Sequence, residues 1–305
     1  MVVMTDEETI DAGVRGHDTA DGADPAAPRE ITAPPGEVLA PVRERYAHWL
    51  RLDDAGVDQD RHEDPEQVRA IQIVLHLEKQ APPSRRRALE LAARGCALLC
   101  LHPRSAPGGP WHDDVAAYGH GHIRKVTRRA RGAAWETTAD LPGLTLTDDA
   151  TGTEIRVLTP GLVARLDKRV AKLQVSGTDL PTEDPADPTD VPTAGGVTGE
   201  DAPVLTCVVP ADLEMTAGKL MAQTGHAGMI AAAVAAGEDG DLLARWHAAD
   251  CPVRVESAPE SRWAELLTSV HDPERAWRTH HRIAVRDAGF TEIAPGTVTV
   301  VADLR

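Results

Sequence analysis

The sequence predicts an α/β fold in which helices pack on a mixed sheet, and three observations support that prediction. In the C-terminal third, short apolar runs alternate with longer segments of helical periodicity. The short runs are rich in β-branched residues and are bounded by proline or glycine, which is typical of buried strands. The middle of the chain repeats a similar order of segments. We therefore expect one α/β unit, preceded by a degenerate copy of the same unit.

Composition divides the 305 residues into four regions. Residues 1–36 contain two arginines against eight acids and show no periodicity, so we expect a disordered tail. Residues 177–202 combine four prolines with acids and no base, which is typical of a solvated linker. This linker separates an N-terminal domain (37–176) from a C-terminal domain (203–305). The chain carries a net charge of −16, and only its middle has no acidic excess, which matters if the partner is RNA.

The elements of the C-terminal domain follow from local signals. A strand is expected at 204–209, between two prolines. A long helix is expected to start at the Thr216 cap and to run to about Ala236, before Gly237. The remaining expected elements are helices at 241–249 and 261–270 and strands at 251–255, 283–285 and 296–301.

Residues 71–166 resemble a degenerate copy of this domain. A strand-like run at 71–78 and a helix-like run at 88–99 parallel its first strand and its long helix. The segment from Asp149 to Ile155 also matches the segment from Asp287 to Ile293 at equal length, and Pro160-Gly161 then follows as Pro295-Gly296 does. Chance similarity of one short turn is the alternative. In this alignment Asp149 and Thr153 recur, whereas Arg86 or Arg87, Leu91, Arg94 and Leu162 replace the lysine, glutamine, histidine and second threonine discussed next.

Among single residues, Lys219 indicates a functional site most clearly. The chain has only five lysines, and Lys219 is the only one after residue 200. It lies in the first turn of the long helix, where a positive charge opposes the helix dipole. Gln223 and His226 follow four and seven residues later, so the three polar groups share one stripe. The alternatives are a solvated surface lysine and a histidine that belongs to the core.

Asp287 follows an apolar strand and precedes Gly289, a position from which a carboxylate can orient water or a basic partner. An Asx turn that only shapes the loop is the alternative. Thr291 and Thr297 flank Pro295 and Gly296 and offer hydroxyls to phosphate or ribose groups. Their alternative role is that of β-prone strand residues.

A basic run lies in the middle of the chain and comprises Arg124, Lys125, Arg128, Arg129 and Arg131. It predicts either a nucleic-acid contact or the solvated face of a helix. Other chemistries fit less well, because the sequence lacks a nucleophile elbow, a His-Glu-x-x-His motif and a phosphate-binding loop. The four cysteines are expected to be reduced thiols.

The segment Arg286-Asp-Ala-Gly-Phe-Thr-Glu-Ile-Ala-Pro-Gly-Thr-Val298, together with Gly218-Lys-Leu-Met-Ala-Gln-Thr-Gly-His226, resembles the archaeal and eukaryotic type of peptidyl-tRNA hydrolase, the Pth2 family. The resemblance covers residues 203–305. It implies a small α/β fold, metal-independent and cofactor-free hydrolysis of the peptidyl-tRNA ester, and a homodimer or, in this chain, an internal pseudo-dimer. It also assigns the catalytic set as Lys219, Gln223, Asp287, Thr291 and Thr297, with His226 matching the helix histidine of the family.

Two hypotheses follow. The first is an esterase that releases peptide and free tRNA from peptidyl-tRNA. The second is a catalytically weak tRNA- or protein-binding module that keeps the fold, which the acidic surface favours. No run of 18 apolar residues and no basic-then-apolar leader is present, so we expect a cytoplasmic protein without a membrane partner.

Overall fold

Two mixed sheets organise the part of the chain that the computed structural model describes, namely residues 34–60, 63–78, 80–175, 177–178, 180, 202–289 and 292–305. We call residues 34–180 the N-terminal half and residues 202–305 the C-terminal half. The strands are β1 (Arg69–His76), β2 (Arg124–Ala130), β3 (Gly143–Asp148), β4 (Thr153–Leu158), β5 (Gly161–Leu162), β6 (Leu205–Pro210), β7 (Val253–Ala258), β8 (Arg282–Arg286) and β9 (Val298–Leu304). The helices are α1 (Ala40–Arg51), α2 (Asp54–Asp60), α3 (Arg85–Leu101), α4 (His112–Gly119), α5 (Ala133–Glu136), α6 (Lys168–Ala171), α7 (Ala217–Glu238), α8 (Gly240–Ala248), α9 (Glu260–Ser269) and α10 (Pro273–His280).

The two sheets have the same strand order. In the first, β2-β1-β4-β3, the pair β1–β2 is parallel and the other two pairs are antiparallel, while the short β5 pairs with β1. In the second, β7-β6-β9-β8, the pair β6–β7 is parallel and the other two pairs are antiparallel. The equal order agrees with the predicted repeat, which a different order in the N-terminal half would have contradicted.

The predicted elements of the C-terminal half are confirmed, with shifts of one to three residues at their ends. The long helix α7 starts after the Thr216 cap, whose hydroxyl accepts a hydrogen bond from the Lys219 backbone N–H. Helix α10 has no counterpart among the predicted elements.

In the N-terminal half the interpretation of the basic run as a helix face is wrong. The run forms strand β2, which pairs along its length with β1.

One detail of the predicted repeat is also wrong. The alignment equated Pro160 and Gly161 with Pro295 and Gly296, but the first pair follows β4 whereas the second precedes β9. Leu162 therefore does not occupy the place of Thr297. Asp149 is exposed, and the residue that faces Arg87 is its neighbour Asp148, with 3.7 Å between the Arg87 Nε and the carboxylate.

Helices α3 and α7 join the halves through reciprocal contacts. The Gly225 Cα of α7 packs beside the Cys96 thiol of α3, while Gly228 packs directly on the backbone carbonyl of Ala93. Counted from the caps Ser84 and Thr216, Gly225 corresponds to Ala93 and Gly228 to Cys96. Each position thus contacts the counterpart of the other, which is the pattern of a two-fold interface.

The N-terminal helix α1 also packs on the C-terminal half. The backbone N–H of Ala284 in β8 donates to the Tyr46 hydroxyl at 2.9 Å. The indole N–H of Trp49 donates to the carbonyl of Arg286 at 3.0 Å. One hydrophobic cluster contains buried residues of α1, α3, α7 and both sheets. The end of β8, where Asp287 follows, is therefore held by residues from the start of the described chain.

Glu90 of α3 forms a buried bridge between the halves. Its carboxylate accepts from the Arg87 guanidinium at 2.7 Å and from the Val255 backbone N–H of β7 at 3.1 Å. Burial outweighs the opposing effects of Arg87 and Val255 and raises the pKa of Glu90 to about 7.

We expect Glu90→Gln to flatten the pH dependence of stability. In the wild type, the folded chain binds a proton at Glu90 that the unfolded chain releases between about pH 4.5 and 7. The free energy of unfolding therefore falls as the pH rises through this window, by about 3 kcal/mol, and the substitution removes that contribution. Urea unfolding at pH 4.5 and 8 measures it, with the exposed Glu265→Gln as the control. Equal slopes for the wild type and Glu90→Gln would contradict the prediction.

The predicted tail and linker lie mostly outside the described residues. Of the linker, the structure describes residues 177, 178, 180 and 202, and Thr178 and Leu180 are buried. The Thr178 carbonyl accepts from the Gly218 backbone N–H at the start of α7. The division into two domains stays a prediction. In the described part of the chain, no helix has the length and apolar character needed to cross a membrane.

Candidate functional site

The loop after β8 places Asp287 by backbone contacts. Its N–H donates to the Thr297 carbonyl and its carbonyl accepts from the Gly296 N–H, each at 2.8 Å. The Asp287 Oδ1 accepts from the Gly289 N–H at 2.7 Å, which is an Asx turn. Gly289 has a φ of 72°, and a Cβ there would overlap Pro295, so the turn requires glycine. The predicted Asx turn is present, and it uses only one carboxylate oxygen.

The second oxygen of Asp287 accepts from two side chains of α7. The Lys219 Nζ lies 2.6 Å and the Gln223 Nε2 lies 2.8 Å from Oδ2. The side chains of Lys219 and Asp287 are 11% and 8% exposed, so this ion pair is nearly shielded from water. The structure therefore brings together three of the predicted site residues, from two distant segments of the chain.

Thr299 belongs to the same cluster. Its hydroxyl donates to the Gln223 Oε1 at 2.5 Å and lies 3.3 Å from the Val285 carbonyl. Because the amide oxygen is occupied in this way, the amide nitrogen of Gln223 faces Asp287. Sequence reasoning missed Thr299. Strand alternation could have indicated it, because Thr299 lies two residues after the predicted Thr297 and therefore on the same face of the strand.

The Thr297 side chain takes no part in these contacts. The Thr297 hydroxyl donates to the Ala294 carbonyl at 2.8 Å and so stabilises its own turn. Thr291 lies outside the described residues. Glu292 ties this loop to α7, because its carboxylate accepts from the Thr216 backbone N–H at 2.9 Å and from the Thr216 hydroxyl at 2.8 Å.

His226 lies on the same stripe of α7 but contacts the N-terminal half. Its Nδ1 is 3.3 Å from the Nζ of Lys125 in β2. Burial, together with the charges of Lys125 and Lys219, lowers the pKa of His226 well below its usual value. The imidazole is therefore neutral at pH 7.

These side chains line a cleft of about 670 Å³ between the two halves. Helix α1, strand β2, helix α7 and the end of β8 contribute its walls. Among the described residues that line it, five are basic and two are acidic, although the whole chain carries −16. The basic residues are Arg45, Arg124, Lys125, Lys219 and Arg286, and the acidic ones are Asp287 and Glu292. The cleft thus concentrates positive charge in an acidic protein, which suits an anionic ligand.

The members of the basic run have different surroundings. Arg124 forms an ion pair with Glu63 at 2.7 Å. Arg128 is buried and donates to the Gln72 side chain at 2.6 Å and to the Leu173 carbonyl at 3.0 Å. Lys125 is also buried. Arg129 donates to Gly177, which lines the cleft, and Arg131 is exposed. Phosphate therefore reaches Lys125 and Arg128 less easily than Arg131, and the contact of all five with RNA stays a prediction.

The segment that contains these site residues matches a family model. Residues 204–303 match the family model of peptidyl-tRNA hydrolase PTH2. This confirms the resemblance for the C-terminal half, which forms a PTH2 domain, and Lys219, Gln223, His226, Asp287 and Thr299 all lie within the matched range.

A curated relative agrees with this assignment. The protein named "Peptidyl-tRNA hydrolase 2, mitochondrial", from Bos taurus, is 32% identical over 120 residues. The match covers 37% of this chain and 61% of the bovine protein, so the chain spans about three fifths of that relative. The N-terminal half lies outside the range of the PTH2 model.

Proposed function

We propose that this protein hydrolyses the ester bond of peptidyl-tRNA and releases peptide and free tRNA. One observation carries the proposal: Lys219, Gln223 and Asp287 meet within 2.6–2.8 Å, inside a PTH2 domain, on a cleft with a basic excess. An acidic chain would repel tRNA as a whole. The basic residues of the cleft reduce this repulsion at the place where the ester would bind.

Asp287 has one acceptor position left for a water molecule. A carboxylate offers four lone-pair sites, and Gly289, Lys219 and Gln223 occupy three of them. The remaining site, on Oδ1, is suited to orient a water and to accept part of its proton as the water oxygen attacks the ester carbonyl carbon. The bond from that carbon to the ribose oxygen then breaks, and the ribose oxygen takes up a proton.

Lys219 provides the positive charge for the oxyanion. One of its three N–H groups donates to Asp287. No acceptor among the described residues binds the other two. A nearly buried ammonium stabilises a developing negative charge more strongly than an exposed one. Gln223, held by Thr299, keeps Asp287 in place. Thr291 and Thr297 remain proposed contacts of the tRNA 3′ end.

The decisive experiment is a hydrolysis assay with purified protein and N-blocked aminoacyl-tRNA. We expect release of deacylated tRNA above the spontaneous rate, and we expect a chelator to leave that rate unchanged. Binding of tRNA without hydrolysis would instead support the alternative, a binding module that keeps the fold. Loss of activity with the chelator would contradict the metal-independent mechanism. The cytoplasmic location likewise stays a prediction, which fractionation would test.

We propose, further, that the N-terminal half is a second copy of the PTH2 unit that has lost its chemistry. The identical strand order and the reciprocal contacts of α3 and α7 support this. At the positions of Lys219, Gln223 and His226 the first copy has Arg87, Leu91 and Arg94. The chain would then be an internal pseudo-dimer with one working site.

Two members of the basic run, the partly exposed Arg129 and the exposed Arg131, give a test of tRNA contact. Reversing Arg129 and Arg131 to glutamate is expected to weaken tRNA binding and to flatten its salt dependence by roughly one to two units of log K per log salt. The matched control reverses Arg275 and Arg278, exposed residues of α10 that do not line the cleft. An equal slope in both double variants would assign Arg129 and Arg131 to a solvated surface.

A further inference from the structure

Lys125 is a buried lysine of the N-terminal half that reaches the site of the C-terminal half. It is 9% exposed, and its Nζ contacts the Tyr118 hydroxyl at 3.2 Å, the Ile123 carbonyl at 3.3 Å and the His226 Nδ1 at 3.3 Å. Its next neighbour is the Met229 sulfur at 3.5 Å. No carboxylate of the described residues forms an ion pair with it. Burial lowers the pKa of Lys125, so a lysine without a carboxylate partner in so buried a place calls for an explanation of its role.

With Nζ as an ammonium, the hydrogen-bond directions around Lys125 follow from its partners. A carbonyl only accepts, so Ile123 takes one proton of Nζ. The Tyr118 hydroxyl donates to the Arg124 carbonyl at 2.9 Å, so its oxygen accepts the second proton. An ammonium then has one proton left, which points to the His226 Nδ1. The Tyr118 ring, 5.6 Å from Nζ, adds a favourable contact for the cation.

The tautomer of His226 follows from these directions. A neutral imidazole whose Nδ1 accepts a hydrogen bond carries its proton on Nε2. We propose that Lys125 is a positioning residue: it holds His226 as the Nε2–H tautomer on the stripe of Lys219 and Gln223. The site of the C-terminal half then depends on a lysine from the other half. The kinetic part of this proposal rests on the proposed function, and the tautomer itself does not.

The tautomer is measured on the full chain labelled with ¹⁵N-histidine, by long-range ¹H–¹⁵N correlation, with His226→Asn used for assignment. We expect the Nε2–H form in the wild type and a mixture of both forms in Lys125→Met. Lys125→Gln, whose amide can still donate to Nδ1, is expected to restore the Nε2–H form in part. The exposed Lys172→Met is the control and should match the wild type. A dominant Nδ1–H form in the wild type, or an unchanged tautomer in Lys125→Met, would overturn the proposal.

A double-mutant cycle separates positioning from a general structural role. We expect Lys125→Met to lower kcat roughly tenfold with little change in KM, a coupling in the range found for neighbouring residues. In the His226→Asn background the same change should have almost no further effect. Additive losses would contradict an action through His226. If the wild type hydrolyses no ester, the proposed function fails, while the NMR measurement still decides the positioning role.

Discussion

Asp287→Asn and Lys219→Ala are each expected to lower kcat/KM for N-blocked aminoacyl-tRNA by roughly 10²-fold or more. In the proposed mechanism, the first substitution removes the charge that orients water, and the second removes the cation that faces the oxyanion. Both side chains lie at the cleft, so both variants should remain folded. Initial rates of tRNA release over a range of substrate concentrations measure the effect. Near-wild-type turnover in both variants would end the assignment of the site.

Stability measurements separate chemistry from packing in these variants. Losing one partner of a buried ion pair leaves an uncompensated charge and costs about 3–5 kcal/mol at full burial. The double variant Lys219→Met/Asp287→Asn should regain part of that stability and none of the activity. The matched control is the exposed pair of Arg262 and Glu256, 2.8 Å apart, whose neutralisation should change stability by about 1 kcal/mol or less.

Gly228→Ala is expected to destabilise the whole chain by roughly 2 kcal/mol or more. A Cβ at this position would overlap the carbonyl oxygen of Ala93, so α3 and α7 would have to separate. Overpacking of a core costs about 1–3 kcal/mol, which exceeds the gain of about 1 kcal/mol in helix propensity. Thermal unfolding should show a fall in Tm of several degrees, and Gly228→Leu should show a larger one.

Gly240→Ala is the control for that prediction. Gly240 begins α8, and a Cβ there would meet open space. Alanine should therefore be neutral or stabilise the fold by up to about 1 kcal/mol. Equal Tm values for Gly228→Ala and Gly240→Ala would show that the helix contact between the halves is looser than the geometry indicates.

The sequence was informative where the signal was local. The Thr216 cap, the strand ends and the spacing of Lys219 and Gln223 predict α7 and the direction of its polar stripe. A long, specific motif supplied Asp287. The contact between these groups follows from the fold, because β8 ends beside the first turns of α7.

Contacts between residues that are distant along the chain could not be predicted from the sequence. The sequence of β2 resembles the basic face of a helix, because the oxygen partners of its cations lie far away along the chain. Glu63 is the partner of Arg124, and Gln72 is the partner of Arg128. Thr299 could be distinguished from Thr297 only once the register of β9 was known. The placement of α1 against β8 depends on two hydrogen bonds, one that Tyr46 accepts from Ala284 and one that Trp49 donates to Arg286, each between residues more than 200 positions apart.

The burial of α7 bears on how the protein is made. This helix is apolar on almost every side and packs against α1, α3 and β2 as well as its own sheet. The surfaces of the N-terminal half that cover it lie in α1, α3 and β2, all of which are synthesised before α7. Until α7 arrives, these surfaces have no partner, and final packing has to wait for the last strands. Packing of the N-terminal half is thus coupled to the synthesis of α7, and a nascent chain stalled before residue 217 would expose the surface that chaperones bind.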